Sequence, residues 1–82
     1  MADVYKLVGG NERVEVADLN VFNRIETKMT DKGLSEAAWD WREFKDELQQ
    51  AIVLAEELGG TYAVDAPTGV RYFVGGEFNV QD

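Results

Sequence analysis

Eighty-two residues make one domain, spanning 1–82, and 45% hydrophobic content with nine aromatics (four Phe, two Trp, three Tyr) is enough for one core. Sixteen acidic residues against eight basic ones give a formal net charge of −8, which repels nucleic acid and anionic lipid headgroups and attracts basic surfaces. Cysteine and histidine are both absent, which excludes disulfides, thiolate zinc sites and the Ser-His and Cys-His pairs that activate nucleophiles.

The chain opens on Val4, Tyr5, Leu7 and Val8, a β-rich run, followed by the turn residues Gly9, Gly10 and Asn11. Residues 13–16 then alternate polar and apolar, so the first sixteen residues read as a β-hairpin. A short helix comes next. Asp18 or Asn20 is placed to cap it, Leu19, Phe22, Ile25 and Met29 share one face, and Lys32 with Gly33 closes it.

The second helix is expected to run from a Ser35 N-cap to about Leu58 and to stop at Gly59 and Gly60. Trp41, Phe44, Leu48, Ile52 and Ala55 form its apolar stripe, with Ala37 and Ala51 at the margins. Residues 61–64 and 70–74 read as strands joined by a turn at Pro67, Thr68 and Gly69. Phe78, Asn79 and Val80 offer a fifth strand after Gly75 and Gly76. The order β-β-α-α-β-β segregates strands from helices. It predicts an α+β fold, an antiparallel sheet of 4–5 strands with two helices on one face.

Residues for chemistry are few. Ser35 is the only serine and has a capping role to fill. No glycine-rich phosphate loop and no EF-hand spacing of acids occurs, so neither a cofactor nor a metal is expected. No apolar run approaches the roughly 20 residues that cross a bilayer. The first residues lack the basic and apolar regions of a signal peptide. The expectation is a cytoplasmic, non-catalytic protein that contacts neither membrane nor nucleic acid directly.

Three features point to a docking surface instead. Glu36, Asp40, Glu43 and Glu47 step along the second helix within about 60° of one another, away from the apolar stripe. Successive acids rise by roughly 4.5–6 Å, similar to the phosphate spacing along a nucleic-acid strand. Trp39 points about 160° away from Trp41. With Ser35 as N-cap, Leu34 and Trp39 would form a hydrophobic staple; exposed, Trp39 would be an interface anchor. Val53 and Leu54 also lie off the stripe, with the first helix as the expected cover and a second subunit as the alternative. On the last strands, Tyr72 and Phe73 should point to opposite faces of the sheet.

In size, acidity and lack of catalytic residues the chain is similar to small phage-encoded inhibitors of defence systems and to immunity proteins that neutralise basic nucleases. That likeness implies a small acidic inhibitor that occupies the basic surface of a nucleic-acid-binding protein through Glu36, Asp40, Glu43, Glu47 and Trp39. The alternative is an assembly module, a homodimer in its simplest form, joined through the sheet edge or the Val53/Leu54 patch.

Overall fold

A strand that alternates polar and apolar residues can bury one face only, and a sheet of such strands needs helices over that face. The computed structural model describes residues 3–9 and 11–75. Within them lie β1 (Val4–Val8), β2 (Glu12–Glu15), α1 (Asn20–Asp31), α2 (Ser35–Leu58), β3 (Tyr62–Asp65) and β4 (Arg71–Val74). The order is the β-β-α-α-β-β of an α+β fold. The proposed strand at Phe78, Asn79 and Val80 lies outside the described residues.

The four strands form one antiparallel sheet in the order β2-β1-β4-β3. The first and last strands are central, and the two helices bridge from one edge to the other. Register sets the faces. Val4 and Tyr62 both pair with Val74, and Val64 pairs with Tyr72, so these side chains share the face that the helices cover. Tyr5, Ala63 and Phe73 line up on the opposite face. There the Arg13 guanidinium sits 5.0 Å from the centroid of the half-buried Phe73 ring.

Local chemistry sets the boundaries. Asp18 Oδ1 accepts the backbone N–H of Asn20 at 2.9 Å, which satisfies an orphan donor at the start of α1. That bond, then the Arg24 guanidinium, holds the Asp18 carboxyl below its usual range. At the other end Gly33 takes φ +76°. The N–H of Gly33 donates to Thr30 O and that of Leu34 to Met29 O, which is a Schellman closure. The chain then enters α2 one residue earlier than expected. Leu34 occupies the N-cap, Ser35 is already helical, and no side chain caps this end. Only Lys32, Gly33 and Leu34 separate the helices, and the first two close α1, so the cap falls on Leu34 rather than Ser35.

Between β3 and β4, Gly69 N–H donates to Ala66 O and Ala66 N–H to Val70 O, each at 2.9 Å. Gly69 at φ +95° supplies the left-handed residue that this hairpin closure demands.

The core is aromatic. Trp41 is 1% exposed, and its indole N–H donates to Phe22 O at 2.8 Å. Phe22 meets Phe44 and Tyr72 edge-on, at centroid distances of 5.6 and 5.3 Å. Leu48, Ala51, Val4, Val64, Ala66 and Val74 complete the buried cluster. The stripe read from the sequence is centred correctly, with Ala38 as a further buried member.

The helices are also clamped at their surface. Glu26 of α1 accepts from Lys45 Nζ and, at 2.9 Å, from the Arg42 guanidinium, and Asn23 Oδ1 accepts from Lys45 at 2.8 Å. The Lys45 bond and then the Arg42 bond hold the Glu26 carboxyl below its ordinary value. These contacts, with Leu19 and Asn20 lying beside Gln49 and Ile52, run the helices antiparallel. At 12 residues α1 is about 18 Å long, and at 24 residues α2 is about 36 Å. The shorter helix ends before it reaches the last turns of the longer one. Val53 stays 44% exposed beyond its reach, Leu54 stays 41% exposed on the flank of α2 over β3, and the expectation that α1 covers them is not met.

Trp41→Phe removes the indole donor and opens a void beneath α1. It should cost about 2 kcal/mol of stability, read as a lower urea midpoint at unchanged m-value. Glu26 gives a pH signature. Its carboxyl ionises more readily folded than unfolded, so its contribution is present above about pH 4.5 and fades as the pH falls through the lower folded-state value. Glu26→Gln should unfold earlier than the parent chain at neutral pH, and the gap between their urea midpoints should narrow as the pH is lowered below 4.5.

Candidate interaction surface

The roll of α2 about its axis is set by the buried Trp41, and every other side chain on the helix follows from it at about 100° per residue. Asp40, Glu47, Glu36 and Glu43 fall roughly 100–160° round from Trp41, all on the same side. That side is the flank over β3, not the pole opposite the sheet. Asp40, Glu43 and Glu47 line a groove with Asp65, Ala66 and Pro67. The groove continues past Glu47 between Gln50, Ala51 and Leu54 above and Tyr62, Ala63 and Val64 below. Tyr62 lies near Leu54 and Pro67 near Asp40, so β3 runs antiparallel to α2 along it.

Glu36 lies one turn further toward the start of α2, on the same side and exposed. Trp39 is 60% exposed. It sits three residues after Glu36 and four before Glu43, which makes it their neighbour on the helix surface. The staple does not form in the expected register. With Leu34 as N-cap, the staple positions fall on Gly33 and Ala38, and Leu34 itself is 49% exposed.

Both cations of α2 lie on the flank toward α1, where Asp46 also lies, and the ridge acids lie on the other. On the α1 side Arg42 and Lys45 are both committed to Glu26. On the β3 side, among the described residues, none of the ridge carboxylates Glu36, Asp40, Glu43 and Glu47 has an ion-pair partner. Asp65 joins this flank from the sheet. It binds Arg71 through two hydrogen bonds of 2.8 and 3.4 Å, and that contact holds its carboxyl below the usual range.

The sequence reading placed the four acids and Trp39 on one accessible region but did not include Asp65 or the groove. Asp65 was legible only as the end of a strand. Its place beside Glu47 depends on which sheet edge lies under α2, and local pattern carries no information on that.

Beyond the ridge, α2 exposes the apolar Val53, Leu54 and the 75%-exposed Leu58, with Glu56 and Glu57 between the last two. Among the described residues no cluster of His, Cys, Asp or Glu is arranged to hold a metal ion, and no helix is long and apolar enough to cross a membrane. No family model, curated protein or solved structure matches the chain.

The two tryptophans give an optical check on this geometry. Trp39→Phe leaves the buried indole as the only emitter, so emission should move to the blue and acrylamide quenching should fall. A variant that quenches as readily as the parent chain would place Trp41 in water.

Proposed function

We propose that this chain is a non-catalytic protein-binding module, a small acidic inhibitor that occupies the basic, nucleic-acid-binding surface of a partner protein. Glu36, Asp40, Glu43 and Glu47 supply the charge, and Trp39 supplies an aromatic anchor beside them. The observation that carries this reading is the division of charge on α2. The cations of that helix are spent on Glu26, while the ridge acids have no ion-pair partner among the described residues. A row of like charges costs a helix a few tenths of a kcal/mol per pair. A row of complementary charge on a partner recovers that cost and speeds encounter.

The mechanism is competition. The ridge takes the place of phosphates on the partner, and the apolar surface around Trp39 slows release of the complex.

A self-associating assembly module is the second reading, favoured by the exposure of Val53, Leu54 and Leu58. Light scattering at high concentration separates the two, since a monomer removes the assembly reading. The direct test is Glu43→Lys/Glu47→Lys. Both side chains are exposed, so the circular dichroism and urea midpoint should stay close to those of the parent chain. Capture of a basic nucleic-acid-binding protein, and displacement of nucleic acid from it, should fall at least tenfold. Undiminished displacement would refute the acidic-ridge mechanism.

A further inference from the structure

Among the described residues the sheet has two open edges, and they differ. In antiparallel pairs, hydrogen-bonded and non-hydrogen-bonded positions alternate. Ala66 N–H donates to Val70 O, so Val64 and Tyr62 turn their backbone groups toward β4, while Ala63 and Asp65 turn theirs outward. On the other edge, Val16 N–H donates to Val4 O, so Arg13 and Glu15 are the outward positions of β2. Charged residues at those positions resist further pairing. The outward positions of β3 hold the small Ala63 and the acidic Asp65, and β3 contains neither Lys nor Pro.

The edge of β3 also has a roof. Leu54, Ala51 and Glu47 of α2 overhang it and form the groove wall. An incoming strand would meet the backbone donors and acceptors of Ala63 and Asp65. Its side chains facing α2 would meet Leu54 at one end and Glu47 and Glu43 toward the other. Alternate residues of a strand are about 6.7 Å apart, and Glu43 and Glu47 are about 6 Å apart along the helix axis. Cations at alternate positions therefore match the ridge.

Charge decides the occupant. A second copy of this chain, itself at −8, would bring its own Asp65 and ridge acids against these. We infer that β3 accepts an extended basic segment of the partner protein as a fifth strand, with alternate Lys or Arg side chains directed at Glu43 and Glu47. This rests on the acidic-ridge reading and names the part of the partner that the groove takes.

Two capped heptapeptides of equal charge test it, one alternating Lys with Val and one alternating Lys with Pro, titrated into isotopically labelled full chain. Proline cannot extend the ladder. The Lys-Val peptide should bind at least tenfold more tightly than the Lys-Pro peptide and slow amide exchange at Ala63 and Asp65. Ala63→Pro loses only an outward N–H, and it should abolish that preference while leaving the circular dichroism unchanged. Equal binding of both peptides, weakened by Glu43→Lys/Glu47→Lys, would overturn the strand inference and leave the ridge reading standing. Failure of the Lys-Val peptide to bind would overturn the inference, while displacement of nucleic acid by the full chain still reports on the ridge separately. Protection of Ala63 and Asp65 in a peptide-free dimer would overturn it in favour of self-pairing.

Discussion

The fold turns on one buried indole. Trp41 fills the space between the two helices and the sheet, and its N–H reaches Phe22 O across nineteen residues of chain. That bond gives the ring its required donor partner and seats α1 in one place along α2. Through Phe22 the same contact extends to Phe44 and Tyr72, so both helices and the central strand β4 meet in a single aromatic cluster. A domain this small has little surplus stability, and it concentrates what it has there. The functional flank depends on this arrangement. A helix is rigid in roll, so fixing Trp41 in the core fixes Glu43 and Glu47 over the edge of β3.

Much of the fold was legible in the sequence because its signals are local and agree with one another. Alternation marked the strands, glycines marked the breaks, and the stripe through Trp41, Phe44 and Leu48 marked the buried side of α2. Tyr72 and Phe73 do point to opposite faces, Tyr72 into the aromatic cluster and Phe73 beneath Arg13.

What was not legible depended on how elements of different length meet. The exposure of Val53 follows from α1 being half as long as α2, and that of Leu54 from its place over β3, neither of which a helical wheel represents. The cap fell on Leu34 because the Schellman turn of α1 runs straight into the next helix. The acids were expected to face away from the sheet, whereas they lie on its flank. An offset of roughly 100–160° from Trp41 permits either placement, and only the position of β3 under the helix decides between them.

The fate of each carboxylate on the two helices reflects its neighbours rather than its own chemistry. Glu26, held by two cations, ties the helices together, while Glu43 and Glu47 on the opposite flank are left to solvent. That partition has a consequence at long range. Five of the eight cationic residues, Arg24, Lys28, Lys32, Arg42 and Lys45, lie on α1, at its end, or on the side of α2 turned toward it. The four ridge acids lie on the other side. The molecule therefore carries a dipole moment across α2 in addition to its net charge. In the field of a positively charged surface it feels a torque as well as an attraction, so it turns its β3 flank forward before contact. Fewer collisions are then wasted on the wrong face.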